Sequence, residues 1–377
     1  MKREAIVVAM SGGVDSTVAA HLLREAGCRP VGVYLHPGPV RPQTPSEGAS
    51  DAAVASADAR RAADALGIPL EVVDASADFD RLIDHLCTEY GRGRTPNPCV
   101  RCNRTIKFAR LLAMADARGI GCVATGHYAR VEWEAGRWRL KRGLDRGKDQ
   151  SYFLARLAPA ALERIRLPIG EMTKRHVRRL ARDLALPCRD APESQDVCFL
   201  TGSVGDLVRA RRPDLVRPGP ILDTDGRQLG RHDGIVDFTI GQRRGLGVAV
   251  GEPRYVVAIR PDEAAVVVGP AEATRARGLV AEDIVWHERP PAEPVRAEVQ
   301  IRYRHPAAPA WVTRLDASGE GEARPDASGT DNADADGAGR AQVRFDEPQH
   351  AVTPGQAAVL YRDDRVLGGG WIAEALA

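Results

Sequence analysis

The chain has 377 residues, of which 44% are hydrophobic and 28% are charged, and its formal net charge is +2. This ordinary globular mixture is too long for one compact core, so we expect two or three domains. No stretch approaches the roughly 20 apolar residues that cross a membrane, and the apolar segment 5–10 is too short for a signal peptide. These features argue against a membrane or exported protein and predict a cytoplasmic one with no membrane partner.

The first half alternates apolar strands with helical stretches. Strands are predicted at 5–9, 30–35, 69–73 and 122–125, and helices at 16–26, 52–66, 79–90 and 103–118. Strands separated by helices indicate an α/β fold with a doubly wound parallel sheet, in which ligands bind at the carboxyl ends of the strands. We therefore expect residues 1–200 to form an α/β catalytic domain.

The pattern changes after Leu200, where glycine and proline become frequent and short β runs appear. The runs include 235–240, 255–259, 265–268, 284–287, 297–303, 341–345 and 357–361. They predict a small central β-rich domain at 201–278 and a C-terminal β-barrel domain at 279–377. Segment 316–340 has almost no apolar content, which predicts a disordered insertion.

A glycine-rich loop follows the first strand and opens the first helix. Its residues are Ala9, Met10, Ser11, Gly12, Gly13, Val14, Asp15 and Ser16. The glycines let backbone N–H groups approach phosphate oxygens, and the helix N-terminus adds positive potential. Asp15 is a candidate ligand for Mg²⁺ beside those phosphates. The loop lacks the ending of a Walker A motif, and the structural alternative is a glycine turn capped by Ser16.

The string Ser-Gly-Gly-Val-Asp-Ser in this loop resembles the signature of the PP-loop ATP pyrophosphatases, which transfer AMP to a substrate oxygen and release pyrophosphate. The resemblance implies an adenine nucleotide α-hydrolase-like fold. It also implies that Gly12, Gly13 and Ser16 bind the pyrophosphate end of ATP. Gly126, in the later string Thr-Gly-His-Tyr, is expected to let the nucleotide approach the backbone at a strand end.

The chain has seven cysteines, an odd number that does not suggest a disulfide framework. Cys99 and Cys102 lie in Pro-Asn-Pro-Cys-Val-Arg-Cys-Asn, just before a predicted helix. The helix N-terminus, with Arg101 and Arg104, predicts a lowered pKa for the Cys102 thiol. Cys198 lies in a second, polar loop.

The residues alone leave three interpretations of these cysteines open. Cys99 and Cys102 could supply half of a zinc site, although the sequence has no second close pair. Plain burial is the default for a cysteine in an apolar run. A cysteine pair could instead transfer sulfur, with one residue carrying the sulfur and the other acting as its partner.

Further motifs narrow the resemblance. They are Gly126–Arg130, Gly143–Phe153, Ser194–Phe199, Thr239–Gly247, Arg302–Arg304 and Val352–Gln356. With the two loops above, and in this order, they resemble the tRNA-specific 2-thiouridylases from residue 5 to about residue 371. This match is far more specific than the PP-loop alone.

The resemblance implies a role for each motif residue. Cys102 is the implied catalytic nucleophile, and Cys198 is the implied carrier of a persulfide. Asn97, Pro98 and Cys99 are expected to contact the target base. The other implied tRNA contacts are His127, Lys148, Asp149, Gln150, Arg302, Tyr303 and Gln356. Lysine and arginine suit phosphates, and a tyrosine can stack on an unpaired base.

The implied partners are tRNA and a sulfur donor. The substrate would be the wobble uridine in the anticodon arm, flipped out into a pocket. The persulfide would come from a cysteine desulfurase or a sulfur relay protein. Since the implied tRNA contacts occur in both the α/β domain and the C-terminal domain, we expect tRNA to contact both.

The chain departs from the family pattern in two places. Position 99 is a cysteine, where some members carry an acidic residue, so an acid/base role there is in doubt and Cys99 could compete for a disulfide. Residues 34–39 read Tyr-Leu-His-Pro-Gly-Pro, which differs from the usual Asn-Trp-acidic run. The backbone of Leu35 is still expected to contact adenine. Segment 38–50 is predicted to be a flexible loop.

The implied reaction uses ATP and Mg²⁺ to adenylate the uridine C2 oxygen, after which sulfur replaces that oxygen. The sulfur reaches C2 either by direct attack of the persulfide or as released sulfide. Two alternatives belong to other classes. An amide-forming PP-loop ligase would not need Cys102 and Cys198, and an RNA-binding protein with a vestigial nucleotide site would not need an intact loop at 11–16.

Overall fold

The computed structural model describes residues 4–38, 51–192, 197–200, 202–248, 251–315 and 339–377, with the backbone only at 51–55. Most of the predicted insertion 316–340 and of segment 38–50 lies outside the described residues, as do residues 193–196 of the Cys198 motif. The chain divides into two compact units. The first comprises residues 1–83, 98–201 and 364–366, and the second comprises 84–97, 202–363 and 367–377. The division into three domains at 200 and 278 stays a prediction.

Alternating strands and helices build the first unit. In chain order they are β1 (Ala5–Ala9), α1 (Val14–Glu25), β2 (Arg29–His36), α2 (Asp51–Leu66), β3 (Leu70–Asp74), α3 (Ser76–Gly91), α4 (Pro98–Cys102), a π-helix (Asn103–Phe108), α5 (Ala109–Ala117), β4 (Cys122–Ala124), β5 (Ala129–Glu134), β6 (Arg137–Arg142), α6 (Ser151–Leu154), β7 (Ile165–Arg166) and α7 (Lys174–Asp183). The last turns of α3 are counted with the second unit.

The order of the parallel sheet places the nucleotide loop. Its strands run β3-β2-β1-β4-β7, and each of these four neighbouring pairs is parallel. The predicted doubly wound α/β sheet is thereby confirmed. Because the chain builds outward from β1 through β2 and β3 and then returns to the other side of β1, the strand order reverses between β1 and β4. Ligands of open α/β sheets bind at such a switch point.

The burial of β1 follows from its central position. Val7 and Val8 are completely buried, as is Val18 of the helix that follows. Met10, at the end of the strand, is also buried and donates its backbone N–H to the carbonyl of Val33 at 2.8 Å. The loop after β1 therefore starts from a fixed point in the core.

The helix after the cysteine motif begins earlier than predicted. It starts at Pro98 rather than at residue 103, and its middle segment, Asn103–Phe108, is a π-helix. Cys102 therefore lies at the end of the first helical segment and not at a helix N-terminus. Proline is favoured in the first turn of a helix, which explains the earlier start.

The second unit is built from β structure after one helix. Its elements are α8 (Val204–Arg211), β8 (Gly219–Leu222), β9 (Gln228–His232), β10 (Tyr255–Arg260), β11 (Ala265–Gly269), β12 (Arg275–Trp286), β13 (Val295–Gln300), β14 (Ala308–Leu315), β15 (Gly339–His350), β16 (Ala357–Arg362) and β17 (Arg365–Leu376).

The strands of the second unit form a small sheet and a barrel. The small sheet has the order β10-β11-β8-β9. Strands β12, β15, β14, β13, β16 and β17 are neighbours in that order, and β17 also pairs with β12, which closes a barrel. Closure leaves no unpaired sheet edge. The predicted C-terminal barrel is confirmed.

One predicted strand is wrong. Residues 235–240 contain a 3₁₀ turn, Ile235–Asp237, and no strand. Ile235, Val236 and Phe238 are all buried, so the apolar run reflects a compact turn in the core rather than a pleat. Among the described residues, no helix is long and apolar enough to span a membrane.

Candidate functional site

The nucleotide loop holds its shape through its own hydroxyl groups. The hydroxyl of Ser16 accepts the backbone N–H of Ser11 at 3.2 Å and donates to the carbonyl of Gly13 at 3.1 Å. Thr17 donates to the same carbonyl at 2.8 Å. Gly12 has a φ of +81°, and a Cβ there would lie 2.6 Å from the backbone of α2. A side chain at position 12 is therefore excluded twice, by backbone conformation and by space.

Gly126 packs directly on this loop. A Cβ at position 126 would lie 2.7 Å from the backbone carbon of Asp15 and 2.7 Å from the backbone nitrogen of Ser16. Position 126 therefore has no room for a side chain, and the expected approach of the nucleotide to its backbone stays a prediction. The segment that follows β4 thus packs against the backbone of the nucleotide loop.

Asp15 is held by two side chains that the sequence analysis did not assign. The ammonium of Lys174 lies 2.8 and 2.7 Å from the two carboxylate oxygens, and the hydroxyl of Tyr128 donates to one of them at 2.8 Å. Thr173 caps α7 through the N–H of His176, which places Lys174 in the first turn of that helix. The only sequence signal for Lys174 is its position beside the arginines of α7.

Leu35 lies at the carboxyl end of β2, where the adenine contact is expected. The last β1–β2 pair is Ala9 with Val33, and β2 continues beyond it through Leu35 to His36. Leu35 pairs with Val73 on the other side. The adenine contact stays a prediction.

Three cysteines form a second cluster in the same unit. Cys99 and Cys102 lie on α4, and Cys198 lies in the short described segment 197–200. All three are free thiols. The charge of Cys198 acts on both Cys99 and Cys102, which indicates that segments almost a hundred residues apart come together here.

Burial governs the protonation of these thiols. It raises the pKa of Cys99 to about 11 and that of Cys102 to about 12. It also raises the pKa of Cys198, although that residue is exposed at the surface. The expected lowering of the Cys102 pKa is therefore wrong, because desolvation of the thiolate outweighs the opposing charge of Lys107.

Lys107 is a further residue that the sequence analysis missed. Its charge lowers the pKa of Cys99, Cys102 and Cys198, and it is half-buried in the π-helix. It could not be predicted from spacing, because residues three and four apart share a face of an α-helix, whereas Lys107 is five residues from Cys102 in a segment that includes a π-helix.

His127 lies inside the unit beside this cluster. It is buried, contacts the hydroxyl of Thr125 at 2.6 Å, and stacks on Phe108 with a centroid distance of 5.9 Å. Burial, with the nearby charge of Lys107, lowers the pKa of His127 well below its ordinary value. A buried neutral imidazole suits a hydrogen bond to an inserted base rather than a contact with a phosphate.

Two of the three predicted tRNA residues in the loop 143–151 form hydrogen bonds within the protein. Asp149 accepts backbone N–H groups from Gly143 at 2.9 Å and Ser151 at 3.0 Å. Gln150 accepts the N–H of Tyr128 at 3.0 Å. Lys148 is half-buried on this loop and is the one of the three whose charge suits a phosphate.

Gln356, in the second unit, holds the segment that leads to Asn97. Its amide donates to the carbonyl of Thr95 at 2.8 Å, and the N–H of Thr95 donates to the carbonyl of Pro354 at 2.9 Å. Gly355 has a φ of +92°, and a Cβ added there would lie 3.0 Å from the backbone of Thr95. The amide nitrogen of Gln356 therefore has a partner within the protein. Asn97 and Pro98 follow directly along the chain.

Arg302 and Tyr303 lie in a turn and not in the predicted strand, because β13 ends at Gln300. Arg302 is exposed, and its carbonyl accepts the N–H of His305 at 3.1 Å, which closes the turn. The guanidinium of Arg304 lies 5.5 Å from the ring centre of the half-buried Tyr303.

Among the described residues, no group of three or more His, Cys, Asp or Glu side chains is placed to hold a metal ion.

Comparison with known families covers most of the chain. The model described as the tRNA methyl transferase HUP domain matches residues 4–202. The tRNA methyl transferase PRC-barrel domain matches residues 210–270, and the aminomethyltransferase beta-barrel domain matches residues 328–372.

Full-length relatives give a more specific result. The tRNA-specific 2-thiouridylase MnmA of Chloroflexus aurantiacus is 46% identical over 372 residues, which cover 98% of each chain. The protein of the same name from Moorella thermoacetica is 46% identical over 97% of this chain and 98% of its own. That of Carboxydothermus hydrogenoformans is 44% identical over 99% of each. The chain therefore belongs to the tRNA-specific 2-thiouridylase family.

Proposed function

We propose that this chain uses ATP to adenylate the C2 oxygen of the wobble uridine in tRNA and replaces that oxygen with sulfur carried as a persulfide on Cys198. One observation carries the proposal. The glycine-rich loop 9–16 and a cluster of three thiols occur in the same compact unit, so one fold would supply both an adenylating site and a sulfur-transfer pair. An amide-forming ligase has no use for the second of these sites.

The nucleotide loop would bind the phosphates of ATP. The backbone N–H groups near Gly13 and the start of α1 offer positive potential to the β- and γ-phosphates. Asp15 and Lys174 form a pair of opposite charges at the same place. Asp15 offers a single carboxylate to Mg²⁺, which binds through one or two carboxylates together with substrate phosphates. Because Lys174 contacts both oxygens of Asp15 in this structure, its ammonium would have to release one of them for the ion. Bound there, the ion would neutralise charge on the departing pyrophosphate.

The chemistry at the base has two stages. In the first, the uridine C2 oxygen attacks the α-phosphorus, the bond to the bridging oxygen breaks, and pyrophosphate leaves with the electron pair. In the second, sulfur forms a bond to C2 and AMP leaves with the former carbonyl oxygen. A buried neutral His127 suits a hydrogen bond to the base during these stages.

Sulfur can reach C2 by two routes with the same overall balance. In one, the terminal persulfide sulfur attacks C2, and Cys102 then attacks the sulfur of Cys198, which frees the thiolated base. In the other, Cys102 attacks first and releases sulfide, which then attacks C2. Both routes form a Cys102–Cys198 disulfide, which an external dithiol must reduce with two electrons before the next cycle. The effect of the Cys198 charge on the pKa of Cys102 supports either route.

Surface residues would provide contacts with tRNA and with the sulfur donor. Lys148 on the first unit and Arg302 on the second suit phosphates, and Tyr303 suits stacking. Asn97, Pro98 and Cys99 would contact the flipped base. Cys198 is exposed, which suits loading by a persulfide-carrying protein. The expected place of action is the cytoplasm, where thiols are kept reduced.

The test separates adenylation from sulfur transfer. Purified enzyme is incubated with tRNA, ATP and a persulfide donor, and both pyrophosphate release and 2-thiouridine are measured, the latter by nucleoside mass spectrometry. We expect Cys102→Ser and Cys198→Ser to abolish 2-thiouridine while tRNA-dependent pyrophosphate release persists. Cys28→Ser, which removes a thiol outside the cluster, is the matched control.

The contrary outcomes are distinct. Thiolation at a normal rate by either cluster variant contradicts the two-cysteine mechanism. Pyrophosphate release that depends on ammonia rather than tRNA would identify a ligase, and no release under any condition would indicate an RNA-binding protein with a vestigial loop.

A further inference from the structure

The side chain of Tyr128 connects the nucleotide loop to the core of the first unit. Its hydroxyl donates to a carboxylate oxygen of Asp15 at 2.8 Å. The ring is buried and belongs to the hydrophobic cluster that also contains Val14 of α1 and Val177 of α7. Because close packing fixes the ring, the hydroxyl holds the carboxylate of Asp15 at a defined point beside the loop.

The backbone of Tyr128 is bound to a different segment, the loop 143–151. Its N–H donates to the side-chain oxygen of Gln150 at 3.0 Å, and its carbonyl accepts the backbone N–H of Gln150 at 2.8 Å. A Cβ at Gly143 would lie 2.6 Å from the same carbonyl oxygen, so the start of the loop also packs directly on Tyr128. Tyr128 therefore contacts both Asp15 and a residue that is expected to contact tRNA.

Lys174 joins the same two segments by a second route. Its ammonium contacts the two carboxylate oxygens of Asp15 at 2.8 and 2.7 Å, and its backbone N–H donates to the carboxylate of Asp145 at 2.9 Å. The carbonyl of Asp145 accepts the backbone N–H of Lys148 at 3.0 Å, which closes a turn at the residue proposed to bind a tRNA phosphate. The ammonium of Lys174 also lies 5.8 Å from the ring centre of Tyr128, so the two routes meet at Asp15.

We propose that Tyr128 and Lys174 are positioning residues that couple the binding of the two substrates. Transfer RNA bound on the loop 143–151 strengthens ATP binding at the nucleotide loop, and ATP strengthens tRNA binding. This inference rests on the function proposed above. A ligand that holds the loop 143–151 in one conformation also holds the two groups that orient Asp15, so the second ligand has less freedom to remove. Coupling between two binding sites is reciprocal, so each ligand must raise the affinity of the other by the same factor.

The test measures this factor without chemistry. The full-length protein is titrated with an ATP analogue that has a methylene group between the α- and β-phosphates, in the presence and absence of unmodified tRNA, and then with tRNA in the presence and absence of the analogue. We expect wild type to bind each ligand at least about fivefold more tightly when the other is present.

Two variants each break one route. Tyr128→Phe removes the hydroxyl that donates to Asp15, and Asp145→Ala removes the acceptor of the Lys174 N–H. Each should lower the coupling factor, and the double variant should bind the two ligands independently. The factor is a ratio of two affinities of the same protein, so a general weakening of ATP binding cancels from it.

Matched changes elsewhere are the controls. Tyr255→Phe removes a phenol hydroxyl in the second unit, and Asp116→Ala removes a carboxylate that pairs with Arg164 in the first. Both should keep the wild-type factor. If Tyr128→Phe does not fold, Asp145→Ala carries the test, because it leaves the buried ring in place. Independent binding of the two ligands by wild type overturns the proposal, and so does a wild-type factor in every folded variant of the two routes.

A second readout separates this inference from the proposed function. Formation of 2-thiouridine is measured on the same protein preparations. If wild type forms no 2-thiouridine but its coupling factor is lost in the double variant, the proposed function fails and the role of Tyr128 and Lys174 stands. If wild type forms 2-thiouridine but binds the analogue equally well with and without tRNA, the proposed function stands and the coupling fails.

Discussion

The nucleotide loop and the cysteine cluster lie in the same unit but are built differently. The loop is one contiguous segment whose hydroxyl groups bond to its own backbone, as Ser16 does with Ser11 and Gly13. The cluster joins α4 to the distant segment around Cys198. A phosphate site needs a backbone shape, which a short string of residues can encode. A sulfur pair needs two side chains to meet, which only tertiary packing can arrange.

The difference also appears in how each site treats charge. The loop holds a charged carboxylate, Asp15, and pairs it with Lys174 at 2.7 Å. The cluster holds thiols that burial keeps protonated, with the pKa of Cys102 at about 12. The first site is charged before its substrate arrives, whereas the second acquires negative charge only when sulfur moves.

The largest effect is expected at Asp15, where the charge of the loop can be removed without changing its shape. Asp15→Asn should lower tRNA-dependent pyrophosphate release by roughly 10²- to 10³-fold, the usual cost of losing one group that stabilises transition-state charge. Asp116→Asn, which breaks an ion pair with Arg164 at 2.6 Å elsewhere in the unit, is the control.

The double variant Asp15→Asn/Lys174→Met separates catalysis from stability. It should regain melting temperature relative to Asp15→Asn, because no ammonium is left without its partner, but it should not regain activity. Recovery of pyrophosphate release in the double variant contradicts a catalytic role for Asp15.

The second-largest effect is expected at Gly126. Its substitution tests whether the nucleotide loop keeps its shape without the packing of Gly126 against it. Gly126→Ala places a methyl group 2.7 Å from the loop backbone, so the loop must move. We expect a loss of about 1–3 kcal/mol in unfolding free energy and roughly 10²-fold slower pyrophosphate release.

The control for this prediction is Gly121→Ala, because the nearest atom to a Cβ there is 3.8 Å away. Thermal unfolding and the pyrophosphate assay measure both effects. Normal activity in Gly126→Ala would show that the loop keeps its shape without contact from β4.

A smaller effect should arise at Gln356. This residue bonds to the segment before Cys99 and not to the nucleotide loop, so its substitution should affect the cysteine cluster alone. Gln356→Ala leaves the Thr95 carbonyl without its donor at 2.8 Å. We expect a loss of about 1 kcal/mol in unfolding free energy and slower thiolation, with ATP binding unchanged.

Gln349→Ala is the control, because that amide donates to the carbonyl of Glu347 at 2.8 Å, away from Thr95. Weaker ATP binding in Gln356→Ala contradicts the separation of the two sites.

The smallest effect is expected at Arg302. Arg302→Ala should weaken tRNA binding and reduce the slope of log affinity against log salt by about 0.7, the value for one phosphate contact on a single strand. Arg296→Ala, whose guanidinium is already paired with Asp346 at 2.7 Å, is the control. Filter binding at several salt concentrations measures the slope, and an unchanged slope removes Arg302 from the tRNA site.

The elements predicted best are those in which a local pattern carries the physical cause. The strand at 5–9 and the loop after it were predicted because an apolar run and two glycines suffice to encode them. The barrel was predicted from the β runs alone, but the order of its strands could not be predicted from the sequence. The strand predicted at 235–240 failed because burial of successive residues in a turn imitates an apolar strand.

The site residues that were missed depend on contacts across the fold. Lys174 meets Asp15 from a helix more than a hundred residues away, and no spacing rule relates them. The pKa of Cys102 was predicted in the wrong direction because neighbouring arginines are visible in sequence, whereas burial is not. The contact of Gly126 with the backbone of Asp15 was also missed, because the sequence cannot show which segments pack together.

The π-helix at 103–108 makes the chain unusually sensitive to its own residue count. A π turn contains one more residue than an α turn, so deleting a single residue there would let the helix continue as ordinary α-helix. Each residue of an α-helix rotates the chain by about 100°. Such a deletion would turn Cys99 and Cys102 by that angle relative to α5 while preserving most helical hydrogen bonds. The direction in which the thiols of Cys99 and Cys102 point therefore depends on the one extra residue of the π turn as well as on the presence of the cysteines themselves.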